Sequence, residues 1–310
     1  MVYALRGLAV SLSMFVLAYA VLRVAVACGW SAGKRRSQWM SPGVLYALQV
    51  GPFVVAATIV AAFAIPSFLR FEPKSVEEAF GLPVLALSAV CVWWLVMGGF
   101  RAWQAYARTA RTVRQWHPQA KAAREASGLI IYETGRDAPP LAVAGFWRPK
   151  LLVSPSATRV FTEEELARAI AHESAHIQRN DNLKKLLLRV ASYPRTREIE
   201  RLWLAALEID ADRQAVRNRR EALELASALV KASRLTVANA ELTTNLTSDS
   251  GALLQERVER LLAWEATQSS NRNTRYDGLA VVGAVAAVVI IAFYPSILSA
   301  IHSLAELLMQ

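Results

Sequence analysis

The sequence predicts a mainly α membrane protein, with four transmembrane helices and an α+β domain between the third and the fourth. Three observations predict it. The apolar residues, 54% of 310, gather in four long runs instead of spreading along the chain. Each run approaches the roughly 20 residues that cross a hydrocarbon core of about 30 Å as a helix. The stretch between the third and fourth runs is polar and long enough for a domain of its own.

The first run covers about 5–27, with Arg6 and Arg23 near its ends, where arginine snorkels to the headgroups. Ala25-Val26-Ala27 before Cys28 has the look of a leader cleavage site. The run is longer than a leader's apolar core, however, and Lys34, Arg35 and Arg36 follow it at once. The second run covers about 43–66 and the third about 82–100. The fourth begins near Leu279, and no acid, lysine or arginine occurs from Gly278 to Ala305. A buried core helix is the rival reading of each run, but core helices rarely stay apolar on every face for so long. The domains are thus three spans within 1–100, a polar domain over 101–276, and the fourth span with a short tail over 277–310.

Loop charges orient the chain. Loop 28–42 holds Lys34, Arg35 and Arg36 and no acid, and Arg101, Arg108, Arg111 and Arg114 follow the third run. Loop 67–81 sets Arg70 and Lys74 against Glu72, Glu77 and Glu78. The expectation is a multi-pass protein of the cell (inner) membrane, with 101–276 cytoplasmic and both termini outside. The net charge of +10 lies mostly in that domain. Its densest basic stretch abuts a span, so the basic partner expected is anionic lipid of the bilayer, not nucleic acid. Cys28 and Cys91 lack zinc-ligand spacing and imply no disulfide framework.

Residues 101–127 read as a helix leaving the third span, with Trp103, Tyr106 and Trp116 among arginines, a composition suited to the membrane surface. Leu129–Tyr132, Leu141–Phe146 and Lys150–Ser154 read as strands between turn signals. A helix then opens at Thr162, an N-cap completed by Glu165 as a capping box. Further helices are expected over about 182–193, 197–216, 220–234 and 256–266, with a loop over 236–252.

The capped helix carries His172-Glu173-Ser174-Ala175-His176, an H-E-x-x-H motif. Residues four apart lie about 40° apart around a helix, so both imidazoles reach one metal. Glu173 is one residue on, placed to act as the base on the attacking water without ligating the metal. Two neutral nitrogen ligands and a base are the parts of zinc-assisted hydrolysis, so Zn²⁺ is the expected cofactor. A catalytic zinc needs a third protein ligand. The candidate is Glu208, 32 residues after His176 on a predicted helix. Asp212, one turn further, is placed to hold a ligand histidine in its tautomer. Asp210 points elsewhere. Arg213, Arg217 and Arg219 are candidates for stabilising an oxyanion by position alone. The strand around Phe146, or Lys150–Ser154, is either an internal strand or a sheet edge able to pair an extended substrate.

Several segments together resemble the BlaR/MecR antirepressor family. Gly145-Phe146-Trp147-Arg148-Pro149 resembles its G-x-x-R-P strand. Glu163-Glu164-Glu165-Leu166 leads into the H-E-x-x-H helix, and Arg179-Asn180-Asp181-Asn182 follows it. Glu208 and Asp212 form an E-x-x-x-D pair, and Arg257-Val258-Glu259-Arg260-Leu261-Leu262 is similar to the family's R-[IV]-x-x-L-L segment. Order, spacing and the arrangement of three spans before and one after agree over nearly the whole chain.

The resemblance implies a gluzincin-type zinc metalloendopeptidase, related more distantly to the HtpX and CAAX prenyl proteases. It implies a protein substrate in signal transduction: a cytoplasmic transcriptional repressor or adaptor, or the chain itself. The rivals are a quality-control protease of HtpX type and a signalling scaffold that no longer cleaves. Beta-lactam sensors of the family continue past the last span into an external penicillin-binding domain, whereas only about Ser296–Gln310 remain here. The expectation is that sensing falls to a separate partner protein or to the spans.

Overall fold

The computed structural model describes residues 2–33, 40–72, 81–116, 121–126, 129–134, 140–145, 149–191, 197–239, 247–264 and 294–307. The chain divides into two compact units, one of Met1–Trp39, Tyr46–Gly99 and Ser269–Gln310, the other of Met40–Leu45 and Phe100–Gln268.

The first unit is helical. Helix α1 is Val2–Gly33 and α2 is Pro42–Ile59. A π-helical turn, Val60–Ala64, joins α2 to α3, Ile65–Phe71. Helix α4 is Leu82–Trp116, and residues 294–307 are helical again. Among the described residues, three helical stretches are long and apolar enough to cross a membrane: Val2–Ser31, Pro42–Phe71 and Leu82–Arg111. Most of the expected fourth span lies outside the described residues. Val21, Val24, Leu82, Trp93 and Val96 are all more than 60% exposed, as side chains solvated by lipid are.

Local chemistry explains the join between α2 and α3. Pro66 has no N–H to give the Ala62 carbonyl, and its ring crowds that turn. The helix widens to a π turn there, and the Tyr294 hydroxyl donates to the Ala62 carbonyl at 2.7 Å. In lipid a freed carbonyl needs such a partner. Phe15, Tyr19, Phe53 and Trp94 pack at the centre of this unit, with Tyr19 and Trp94 centroids 4.8 Å apart. Gly7 lets α1 close on α3, since a Cβ there would stand 2.8 Å from the Phe68 ring.

The second unit opens with a four-stranded sheet. Its strands are β1 Lys121–Ala126, β2 Leu129–Glu133, β3 Leu141–Ala144 and β4 Lys150–Val153. The order is β1-β2-β4-β3, with β2 and β4 parallel and the other pairs antiparallel. Strand β1 corrects the expectation of helix through 127. The α4 helix ends at Trp116, just before His117-Pro118, because a proline disfavours helix at the residue before it. The helix-forming composition of Lys121–Ala126 then yields to pairing with β2. Strand β4 lies inside the sheet, whose edges are β1 and β3; Phe146 lies outside the described residues.

Helices complete the unit: α5 Pro155–Val160, α6 Glu163–Gln178, α7 Asp181–Ala191, α8 Arg197–Ala215, α9 Arg219–Asn239 and α10 Thr247–Leu262. The expected loop over 236–252 is helix at both ends, since α9 runs on to Asn239 and α10 begins at Thr247; 240–246 lie outside the described residues. Ile131, Leu151 and Val153 of the sheet pack with Ala157, Phe161, Leu166 and Ile170. Ile199, Trp203, Leu207, Ala211 and Ala215 are buried at four-residue spacing along α8. That stripe fixes the rotation of α8 and with it the direction of Glu208 and Asp212, one residue beyond two of its members.

Candidate metal centre

Helix α6 is anchored before it carries anything. Thr162 Oγ1 accepts from the Glu165 N–H and Glu165 Oε2 accepts from the Thr162 N–H, closing the expected capping box. The buried Glu165 carboxylate also takes Lys231 Nζ at 2.7 Å, tying α6 to α9. Burial opposes its charge, but the Lys231 and Ser227 hydrogen bonds outweigh it and hold the carboxyl below its usual range.

Two turns on, His172 and His176 face each other, with Nε2 atoms 3.2 Å apart. Glu208 enters from α8, with Oε2 3.4 Å from His172 Nε2 and Oε1 3.6 Å from His176 Nε2. Atoms of the three side chains lie within 4.8 Å of one another, a group able to hold a metal ion. Ligands about 2.0–2.1 Å from a tetrahedral zinc stand about 3.3 Å from each other, so these spacings fit that ion.

Each imidazole is gripped from behind. His172 Nδ1 is 2.9 Å from Asp212 Oδ1, and His176 Nδ1 is 2.8 Å from Asp181 Oδ2. A proton on each Nδ1 would leave both Nε2 lone pairs turned inward, the arrangement a cation needs. Asp181 reaches His176 because Asn180, at φ 54°, takes the left-handed conformation that stops α6 and starts α7 at once. Asn182 then donates to the Gly145 carbonyl at 3.1 Å, tying the start of α7 to the end of edge strand β3.

The electrostatics follow from this packing. Burial would lower the His172 imidazole, but Asp212, Glu208 and Glu173 outweigh it and hold its pKa up at about 9. Burial is likewise outweighed at His176, raised by Asp181 and Glu208. Burial would raise Glu208 and Asp212, yet both sit below the usual carboxylate range, Glu208 well below it. The two histidines and Arg257 hold Glu208 down, and Arg257 and His172 hold Asp212 down.

The structure brings His172, His176, Glu208 and Asp212 together and turns Asp210 away onto Arg179, at 2.8 Å. Glu173, half-buried on the same helix, contributes its charge to both His172 and Arg257. Arg213, Arg217 and Arg219 are exposed, and the guanidinium at the donors is that of Arg257, 3.1 Å from Glu208 Oε2. Sequence reasoning missed the placement of Arg257, and also that of Asp181. Both lie in segments that carry only the family resemblance, and the signal for Asp181 was its place three residues beyond the end of the motif helix.

Residues 47–194, just under half of the chain, match the family model described as BlaR1 peptidase M56. The match is consistent with the BlaR/MecR resemblance, and it points to a membrane-associated peptidase. It takes in His172, Glu173, His176 and Asp181 and stops before Glu208, Asp212 and Arg257. No curated protein matches the chain.

Proposed function

We propose that this chain is an integral-membrane zinc metalloendopeptidase whose domain, within 101–276, works at the cytoplasmic face. The observation that carries the reading is the inward convergence of His172, His176 and Glu208 at the edge lengths of a zinc tetrahedron, each histidine backed by a carboxylate. In this reading those three residues hold Zn²⁺, and Asp212 and Asp181 orient the two imidazoles. Zn²⁺ bound there would lower the pKa of a water and polarise a peptide carbonyl.

The remaining chemistry belongs to the chain's own groups. Glu173 takes the proton of the attacking water and delivers it to the leaving amine. Strand β3, the sheet edge that contacts α6, is the candidate to pair an extended peptide and lay it across the donors. The substrate class proposed is a protein at the membrane surface, either a cytoplasmic repressor or adaptor or the chain itself. A separate sensor protein, or the spans, would supply the stimulus. The scaffold reading is disfavoured because the base and all three ligands are present.

Mass spectrometry of the purified full chain, wild type against Glu173→Ala, tests this. The expected result is one zinc per chain in both and self-cleavage in the wild type alone. Self-cleavage persisting in Glu173→Ala would overturn the assignment of the base.

A further inference from the structure

Arg257 is a residue that neither the family match nor the metal-ligand pattern assigns. It projects from α10, with its side chain only 11% exposed. Its Nε and Nη2 donate to the two oxygens of Asp212 at 2.7 Å each, and Nη1 lies 3.1 Å from Glu208 Oε2. Nη2 is also 3.5 Å from His172 Nε2. Glu208 and Asp212 are one turn apart on α8, so one planar fork spans both carboxylates. A lysine could not, because its single ammonium is a point charge without that geometry.

The two grips have different consequences. Glu208 is 28% exposed on its side chain and has three rotatable torsions, so the contact with Arg257 narrows where its carboxylate can sit. Asp212 held on both oxygens keeps Oδ1 at His172 Nδ1, and so keeps His172 Nε2 facing the donors. The backbone that presents Arg257 is packed in turn: Val258 and Leu261 join Ala215, Val216 and Leu225 in one apolar cluster.

We propose that Arg257 is a positioning residue, a clamp by which docked α10 fixes the third ligand and the tautomer of His172 together. The metal centre is therefore complete only while α10 is packed against α8. This rests on the reading that His172, His176 and Glu208 bind zinc.

The test uses the full chain in detergent, with zinc affinity measured against a chelating dye and coordination read from the visible spectrum of the Co²⁺-loaded protein. Arg257→Met and Arg257→Lys should bind zinc about 10–100-fold more weakly and change the Co²⁺ band. Arg260→Met, on the same helix but paired with half-exposed Glu256, should change neither. If Arg257→Met fails to fold by near-ultraviolet circular dichroism, Arg257→Lys decides alone. Wild-type affinity and spectrum in Arg257→Lys would overturn the clamp, whatever happens to cleavage. Absence of zinc from the wild-type chain would overturn the metal reading and the clamp with it. Zinc bound normally by wild type and Arg257→Lys alike would leave the metal reading standing and remove only the clamp.

Discussion

His172 and His176 present their Nε2 atoms to each other across 3.2 Å. Two lone pairs do not face each other at that distance without a positive charge between them. A proton or a metal cation can supply that charge, and the raised pKa values of the two histidines come from the carboxylates around them. A metal that takes the proton's place releases it, so binding couples to pH.

The three donors should be separable from the base. His176→Ala and Glu208→Ala should lose the metal on purification. Glu173→Gln should keep it and cleave about 10²–10⁴-fold more slowly, the usual worth of a positioned general base. Elemental analysis with a cleavage assay reads both. Full zinc occupancy in Glu208→Ala would require a different third ligand.

Asp181 gives a sharper test, because its direct link to the donors is the 2.8 Å contact behind His176. Asp181→Asn keeps the shape and removes the charge that holds the proton on Nδ1. The expected outcome is about 10–100-fold weaker zinc binding with one metal still bound at saturation. Competition with a chelator measures it, and unchanged affinity would assign Asp181 to the Arg179 and Lys184 ion pairs alone.

Acid should weaken the α6–α9 tie. The folded-state pKa of Glu165 lies below its ordinary 4.5, so the stability it contributes is fully present above 4.5. That stability is lost as pH falls through the folded value. Glu165→Gln should lower the melting temperature near neutral pH, by the equivalent of about 1–3 kcal/mol for a buried network left half-paired. The gap from wild type should shrink steadily below 4.5. A gap that stays constant on acidification would mean the carboxylate charge does not matter.

The membrane orientation is open to a direct measurement. A reporter inserted between Asn239 and Thr247 should signal from the cytoplasm, and one inserted within 73–80 from outside, as the basic loops require. Both on one side would remove the span assignment.

Much of this was legible because it rests on short-range rules. The capping box at Thr162 and the 3.6-residue period placed both histidines on one face of α6, and the apolar run lengths marked the three candidate membrane helices. What the sequence hid is tertiary. Lys121–Ala126 has the composition of a helix and becomes a strand only because β2 offers it partners. Arg257 lies 45 residues beyond Asp212, and no local pattern links them; the contact exists because α10 packs back against α9 and α8. Asp181 was nearer, but its approach depends on one left-handed residue, Asn180, and side-chain type alone gives only a weak hint of that.

Arg6 and Glu72 form a buried ion pair in the membrane unit, 3.0 Å apart with side chains 6% and 5% exposed. Charges this deep in apolar surroundings are expensive, so the pair is retained only if each member neutralises the other. Removing one member leaves the other charge buried without this counter-charge, at a cost of about 3–5 kcal/mol where nothing else takes its place. Removing both leaves an apolar contact that costs far less. Arg6→Met and Glu72→Leu should therefore each lower the melting temperature of the detergent-solubilised chain, while the double variant should recover most of the loss. Because the pair joins α1 to the end of α3, the single variants should also loosen the packing of Phe68 on Gly7. Fluorine labels placed near those residues would report that loosening. A double variant as unstable as the sum of the two singles would show that the residues act independently, and that neither is held in place by the other's charge.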